Sequence, residues 1–290
     1  MDFFKIPFLI LLLSLLLTVE LKAEEYQVAV RAHHGIEEAT QQWQPTIDTL
    51  NEQIKGHHFS LLPIINLKEI SARAARKEFD FLLTNPSSFV ETKQLHGAKA
   101  LATLNNKRAN TGQDRFGSVV FTHAKNVDIL TFSDLEDKSL MVVSEQAFGG
   151  WRIAWLEMLE QGFDPKNKLK HLKFAKSRTQ AEVVYAVING SVDAGVVRTD
   201  LLERLEASRK IDMRYVRVLN NKDVKTFPFF LSTKLYPEWV FSALKHIPDR
   251  FSKQVADVLL SISKESQAAL AGKYMGWIRP KDYTSVQKLM

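Results

Sequence analysis

The loop-to-helix junction at Asn85 combines residue types that bind anions. Its sequence is Asn85-Pro86-Ser87-Ser88, in which the proline suits the first turn of a helix and the serines offer hydroxyl and amide donors. A helix N-terminus presents unpaired N–H groups and a partial positive charge, so it holds an anion without a side-chain base. The alternative interpretation is ordinary helix capping, for which asparagine and serine are equally suited.

A second junction pairs two glycines. In Phe148-Gly149-Gly150-Trp151 the missing side chains let backbone amides approach a ligand closely, and Trp151 is a candidate wall of the cleft. The alternatives are a tight turn for the glycines and a core position for Trp151, whose i, i+4 match with Trp155 favours the core. Taken alone, the Asn85 junction fits helix capping better and the glycine pair fits a tight turn better. If the two junctions face each other across a cleft, together they predict a ligand site.

Arg198 and Thr199 are the third candidate group. Arginine suits oxyanions because its planar fork matches two oxygens and stays charged at every relevant pH. Arg198 directly ends an apolar run that we predict as a strand, and a charge at such a place needs a partner. That partner is either an anionic ligand or a carboxylate of this chain, for which Asp193, Asp200 and Glu203 are the candidates.

The histidines and the missing motifs argue against metal binding and catalysis. His33 and His34 are adjacent, and neighbours on a strand point to opposite faces, so the pair supplies one ligand to a site rather than two. His33 follows the first predicted strand, where we expect it to contact a ligand in the cleft. The chain has no cysteine and none of the GxSxG, P-loop or GxGxxG motifs. We expect no catalytic residue, no metal and no cofactor, and hence a binding protein and not an enzyme.

Composition and charge narrow the classes of partner. The 290 residues are 45% apolar and 25% charged, which excludes disorder and leaves room for two domains. Lys plus Arg number 39 against 33 Asp plus Glu, a modest and scattered excess. It suits a small anionic ligand better than a nucleic-acid groove, so we expect no nucleic acid among the partners.

The first 23 residues have the pattern of a secretory signal peptide. Lys5 precedes an apolar stretch over 6–19, and Ala23 suits the position before a cleavage site. The stretch is shorter than the roughly 20 residues of a membrane span, and an uncleaved anchor is the alternative. We expect a soluble protein exported to the periplasm.

After the leader, short β-like runs alternate with amphipathic stretches, which predicts an α/β fold. Asn66 with Glu69 and Thr179 with Glu182 have the spacing of capping boxes at two helix starts, and Trp43 begins another predicted helix. The predicted strands cover 26–32, 59–65, 79–83, 116–122, 139–143 and 192–197.

Two stretches look like copies of one design. Asp80 interrupts an apolar run that leads into Asn85, and Asp193 lies in a run that leads into Arg198. Two lobes of one design imply a cleft between them, and such interfaces are where small ligands bind. No segment has the composition of a flexible linker, so we expect the lobes to move about a hinge.

Several segments together resemble the phosphonate/phosphite-binding subfamily of periplasmic solute-binding proteins, over roughly residues 25–288. The segments that carry this resemblance are Asp80-Phe81-Leu82-Leu83-Thr84-Asn85-Pro86-Ser87-Ser88, Gly117-Ser118-Val119-Val120-Phe121, Phe132-Ser133-Asp134-Leu135 and Gly162-Phe163-Asp164-Pro165.

A second set of segments is similar to the sensing domain of tetrathionate-sensor-type histidine kinases, which share that fold, and this similarity is the closer of the two. These segments are Ala147-Phe148-Gly149-Gly150-Trp151, Val196-Val197-Arg198-Thr199, Leu235-Tyr236-Pro237-Glu238-Trp239 and Tyr274-Met275-Gly276-Trp277-Ile278-Arg279-Pro280-Lys281-Asp282-Tyr283.

The resemblance implies a two-lobed type II periplasmic-binding-protein fold, in which each lobe is a mixed sheet flanked by helices. Lobe one would combine 24–118 with 222–290, and lobe two would cover 119–221. The lobes would close on a small oxyanion, and the closed monomer would be presented to an ABC permease or a sensor histidine kinase at the inner membrane.

This sequence departs from the transport-type members at one loop. Those members carry a Ser/Thr-rich loop before the helix of the second lobe, whereas this chain has Ser144-Glu145-Gln146-Ala147-Phe148-Gly149-Gly150 there. The loss of hydroxyl donors and the gain of Glu145 favour another anion over a phosphonate, such as a sulfur oxyanion. Two alternatives stay open: an interaction module that needs no ligand, which an apolar plug of Phe148 and Trp151 would support, and an exported enzyme acting on an anionic substrate.

Replacing Arg198 tests its assignment to the ligand site. Arg198→Ala should weaken anion binding by about 2–5 kcal/mol, as truncation of a buried charged contact does. Titration calorimetry with an oxyanion that binds the unsubstituted protein measures the affinity of both proteins. An unchanged affinity in the variant would remove Arg198 from the site.

Overall fold

The computed structural model describes residues 23–32, 35–177 and 179–289. The signal-peptide prediction concerns residues that lie almost wholly outside these ranges. In chain order the strands are β1 Glu24–Arg31, β2 His57–Ile64, β3 Phe81–Thr84, β4 Lys99–Arg108, β5 Thr111–Gln113, β6 Arg115–Phe116, β7 Ser118–His123, β8 Ser139–Val142, β9 His171–Phe174, β10 Ala194–Arg198, β11 Val216–Leu219, β12 Tyr236–Pro237, β13 Val240–Ala243 and β14 Tyr274–Ile278.

Helices alternate with these strands, as the sequence pattern predicts for an α/β fold. They are α1 Ile36–Gln53, α2 Leu67–Ala75, α3 Pro86–His96, α4 Ile153–Glu160, α5 Pro165–Lys168, α6 Gln180–Ile188, α7 Leu201–Ala207, α8 Asp249–Ser261, α9 Gln267–Gly272 and α10 Thr284–Gln287. A π-helical turn, Phe148–Arg152, leads directly into α4.

The strands form two sheets with one repeated topology. The first has the order β2-β1-β3-β13-β4-β14, with β5 on β4, and the second has the order β9-β8-β10-β7-β11. In each sheet three parallel strands are followed by an antiparallel fourth. We call each sheet with the helices packed on it a lobe, the first and the second. The fold is therefore α/β with two lobes, as predicted.

Two aspartates occupy equivalent places in the two lobes. Asp80 precedes β3 and accepts a hydrogen bond from the Gln27 amide of β1 at 2.7 Å. Asp193 precedes β10 and accepts one from the Ser139 amide of β8, also at 2.7 Å. Each carboxylate thus joins its strand to the parallel neighbour, and the sequence repeat has a structural counterpart.

Both faces of each sheet are covered by helices. In the first lobe Trp43 of α1 and Val255 of α8 pack on one face, and Ile70 of α2 and Phe89 of α3 pack on the other. The second sheet has a similar pair of apolar clusters. Burial on both faces explains the near-continuous apolar runs of the parallel strands.

The helix caps follow the sequence closely, but one helix begins earlier than predicted. The Asn66 side chain accepts from the Lys68 amide, and Thr179 accepts from the Glu182 amide, which confirms both caps. The prediction that a helix begins at Trp43 is wrong, because α1 begins at Ile36 and carries Pro45 in its interior. An interior proline removes a single helical hydrogen bond, which packing against the sheet can offset.

The predicted strand 116–122 is divided into β6 and β7 at Gly117. A Cβ on this glycine would lie 2.5 Å from Leu231 Cδ1 and 3.0 Å from the Lys234 carbonyl oxygen. Here the chain passes from one lobe to the other, beside the return strand β12, which pairs with β6. The lobes are thus joined at a two-stranded ribbon. The boundaries predicted for them, 24–118 with 222–290 and 119–221, stay a prediction.

No helix within the described ranges is both long enough and apolar enough to span a bilayer.

Phe81 tests the core of the first lobe. Its side chain is fully buried and its ring lies within 6.2 Å of the rings of Tyr26, Phe59, Phe241 and Phe251. Phe81→Ala should lower the free energy of unfolding by about 3–5 kcal/mol. The control Leu95→Ala, at a side chain that is 63% exposed, should change it by less than about 0.5 kcal/mol. Urea unfolding measures both, and equal effects would contradict this account of the core.

Candidate functional site

The repeated topology places four helix starts at the carboxyl ends of the parallel strands of the two sheets. Parallel strands present their carboxyl ends at the same edge, and helices that follow them begin there. In the first lobe α1 follows β1 and α3 follows β3. In the second lobe the turn at Phe148 follows β8 and α7 follows β10. These starts carry the Asn85, Gly149 and Arg198 groups that the sequence singled out.

The Asn85 junction is a capped helix start. Asn85 Oδ1 accepts from the Ser88 amide at 3.1 Å and from the Ser87 hydroxyl at 2.8 Å. Pro86 has no N–H and the Ser88 amide donates to Asn85. The Ser87 amide is therefore the N–H of this first turn that has no acceptor within the helix. Asn85 is thus the cap of α3, and Ser87 and Ser88 donate to its side chain. Their ligand-contact roles stay a prediction.

Thr84, which the sequence analysis missed, supplies a further donor. It is the last residue of β3 and is fully buried, yet its hydroxyl has no hydrogen-bond partner among the described residues. Thr84 lies two residues from Leu82 and opposite Val240, so its side chain points to the face on which α3 and Phe148 pack. A buried hydroxyl without a partner is costly, and a bound ligand is one way to satisfy it.

The Gly149 junction is an uncapped helix start. Ala147 offers no side-chain cap, so the amides of residues 148–151 have no acceptor within the helix. The Ser118 hydroxyl fixes the turn by donating to the Gly149 carbonyl at 2.7 Å. A Cβ on Gly149 would lie 2.9 Å from Phe116 Cε2, and one on Gly150 would lie 2.6 Å from Val143 Cγ2. Close packing therefore accounts for both glycines.

Arg198 finds a carboxylate that the sequence did not suggest. Its guanidinium pairs with Glu238, lies 4.1 Å from the Phe116 ring centroid and has Nε 4.0 Å from Asp200. Glu238 lies just after β12, beyond the reach of any local spacing rule. Of the three partners predicted for Arg198, Asp200 contacts it, and the ligand role of Arg198 stays a prediction.

Asp193, Glu203 and Thr199 have other partners. Asp193 bonds to Ser139, and Glu203 accepts from the Phe230 amide. Burial raises the pKa of Glu203. The Thr199 hydroxyl accepts from the Gly117 amide at 3.2 Å, so Thr199 ties β10 to the strand that crosses between the lobes.

Arg108 is a second arginine of this region that the sequence analysis missed. It ends β4 in the first lobe, and its Nε lies 3.3 Å from Asp200 of the second. Burial and the nearby charge of Arg198 lower the pKa of Arg108 to about 10. No motif marks Arg108, since its role comes from a contact between lobes.

Aromatic side chains fill the space beside these groups. Phe148 is 4% exposed and packs edge-on against Phe116 at 5.8 Å and Tyr236 at 5.7 Å between ring centroids. Trp151 stacks on Trp155 in the core of the second lobe, as the core alternative predicts. Of the two residues proposed for an apolar plug, Phe148 lies between the lobes and Trp151 does not.

The remaining predicted contact, His33, lies outside the described residues. Within those residues no group of three or more metal-ligating side chains is close enough to hold an ion.

Gly149→Ala tests the close packing of the second-lobe turn. The new methyl group would press on Phe116 and on Arg198 Cβ and Cγ, the latter at 3.3 Å, so the free energy of unfolding should fall by about 1–3 kcal/mol. Glu145→Ala in the same loop is the control and should change little, because Glu145 is exposed. Thermal unfolding compares them, and a neutral Gly149→Ala would argue against the packing described.

Comparison with known proteins agrees with the two-lobed architecture. The chain has 14% identity and a TM-score of 0.68 with PhnD1 from Prochlorococcus marinus in complex with methylphosphonate, over 92% of this chain and 97% of that one. It has 16% identity and a TM-score of 0.71 with a Xanthomonas citri protein bound to ATP, over 92% and 94% of the two chains. At these identities the likeness shows a shared fold.

Sequence comparison gives the family. The chain is 27% identical over 269 residues to the tetrathionate sensor histidine kinase TtrS of Salmonella typhimurium, which covers 92% of this chain and 43% of the kinase. The chain therefore spans less than half the length of this relative. Residues 32–284 match the family described as the phosphonate periplasmic substrate-binding protein of ABC transporters. Both resemblances predicted from the sequence are confirmed, and the chain belongs to this family of periplasmic substrate-binding proteins.

Proposed function

We propose that the protein captures a small anion between its lobes and presents the closed form to a partner at the inner membrane. The observation that carries this proposal is that helices of both lobes begin at the carboxyl ends of parallel strands, where the buried hydroxyl of Thr84 has no hydrogen-bond partner among the described residues. Ligand contacts from both lobes would favour the closed arrangement by hinge motion.

The second-lobe turn restricts the class of anion. Its residues Ala147, Phe148, Gly149 and Gly150 offer backbone amides and no hydroxyl, and Glu145 adds a negative charge to the loop. A ligand held here would be recognised by amides and by the few hydroxyls of the first lobe. Small oxyanions of phosphorus or sulfur suit such donors, because they accept hydrogen bonds in several directions.

The partner would be an ABC permease or a sensor histidine kinase. The family supports a permease, and the likeness to the sensing part of TtrS supports a kinase. We propose that the protein acts as a monomer with a cleavable leader in the periplasm.

A second candidate function is an interaction module that works without a ligand. The buried ring of Phe148 favours it, because this ring occupies space between the lobes that a ligand would otherwise use.

Thermal unfolding against a panel of anions tests the proposal. The panel is phosphate, phosphite, methylphosphonate, sulfate, thiosulfate and tetrathionate. An anion present at about 100 times its Kd should stabilise the exported protein by about 2.7 kcal/mol, seen as a raised Tm. A selective rise supports anion capture, and no rise with any anion favours the interaction module.

Thr84→Val supplies the matched variant. It removes a hydroxyl that bonds to nothing within the described residues, so the Tm without anion should be unchanged or higher. The rise produced by the selected anion should shrink in this variant. A full rise would place the anion away from Thr84.

A further inference from the structure

Two ion pairs cross between the lobes in opposite directions. Glu238 follows the ribbon strand β12 and accepts a hydrogen bond from Asn106 of the first lobe, so we count it with that lobe; it pairs with Arg198 of the second lobe. Asp200 of the second lobe lies 3.3 Å from Arg108 of the first. Each lobe therefore offers one carboxylate and one guanidinium to the other. We call Arg108, Arg198, Asp200 and Glu238 the interlobe cluster.

The carboxylates of the cluster are held in place within their own lobes. Glu238 is fully buried, and its two oxygens accept from Asn106 Nδ2 and from the Trp239 amide, each at 3.0 Å. Asp200 is 2% exposed and accepts from Arg204 Nε at 2.7 Å. Because these partners hold both carboxylates in place, neither carboxylate can move with its arginine when the lobes separate.

The backbone of Asp200 also holds the cluster in one geometry. Its φ is +75°, a left-handed conformation that costs energy in a residue other than glycine. This conformation places Asp200 at the start of α7, only two residues after Arg198. The ion pair to Arg108 thus joins the first lobe to a residue at the start of α7.

The cluster lies beside the ribbon about which the lobes would turn. Glu238 directly follows β12, and Phe116 of β6 lies under the Arg198 guanidinium. The lobes also touch through apolar side chains, since Phe148 and Ile153 of the second lobe share a cluster with Phe89 and Tyr236 of the first. Separation of the lobes would break both kinds of contact together.

We propose that the interlobe cluster is a latch that keeps the lobes together before any ligand binds. The proposal rests on the proposed function only in treating the gap between the lobes as the ligand cleft. A ligand then enters during a rare opening, and the latch sets how often that opening occurs. Loss of Glu238 leaves Arg198 with only its ion-pair contact to Asp200 at 4.0 Å among the described residues, and loss of Arg108 removes the contact that Asp200 receives from the first lobe, so either loss favours opening.

Distance measurement between spin labels tests the latch in the exported chain. The chain has no cysteine, so Lys253→Cys in the first lobe and Lys210→Cys in the second carry one nitroxide each. With no anion added, the wild-type background should show a narrow distribution at the distance of the joined lobes. Glu238→Gln and Arg108→Met should raise the longer-distance population on the order of tenfold or more.

Matched controls separate the latch from a general effect of lost ion pairs. Asp249→Asn and Lys99→Met remove the same types of charge from a pair within the first lobe, which lies at 2.5 Å. Both should leave the distribution as in the wild type. Circular dichroism gives the folded fraction of every variant. If Glu238→Gln does not fold, Arg108→Met, whose site is partly exposed, still tests the latch.

Each outcome decides the proposal. A broad wild-type distribution, or variants that match the wild type, would overturn the latch even if an anion raises the Tm. If Glu238→Gln and Arg108→Met raise the longer-distance population and the controls do not, the latch is supported. This holds even if no anion of the panel raises the Tm, a result that would contradict anion capture only.

Discussion

The placement of the parallel strands determines where the helices of this protein begin. A helix that follows a parallel strand begins at the carboxyl edge of the sheet, so every β–α unit delivers a helix N-terminus to that edge. Both sheets repeat this arrangement, and the ribbon of β6 and β12 joins them. The uncapped turn at Phe148 and the capped start at Asn85 are both placed in this way, and Phe148 shares an apolar cluster with Phe89 of α3.

Charge at the junction is already largely matched within the chain. Arg198, the residue best suited by its chemistry to an oxyanion, is engaged by Glu238, while Asp200 is shared among Arg108, Arg198 and Arg204. An anion that used Arg198 would compete with a buried carboxylate of the same chain. The side chain of Ala147 does not cap the second-lobe turn, so its backbone amides face no such competition from a carboxylate cap.

Apolar contacts join the lobes as the ion pairs do. The Phe148 ring lies between Phe116 and Tyr236 at the ribbon, and burial raises the pKa of the Tyr236 phenol to about 12. Rings packed edge-on in this way stabilise the junction beyond their buried area. The junction therefore combines packed aromatic rings with buried ion pairs.

The sequence by itself determined the features that depend on neighbours along the chain. The caps at Asn66, Asn85 and Thr179, the apolar strands and the paired places of Asp80 and Asp193 follow from local hydrogen bonding and periodicity. Only the tertiary structure decided the Glu238 partner of Arg198, the contact of Arg108 with Asp200 and the burial of the Thr84 hydroxyl without a hydrogen-bond partner among the described residues. These join residues far apart in the chain, and no spacing rule reaches across two lobes whose approach is set by packing.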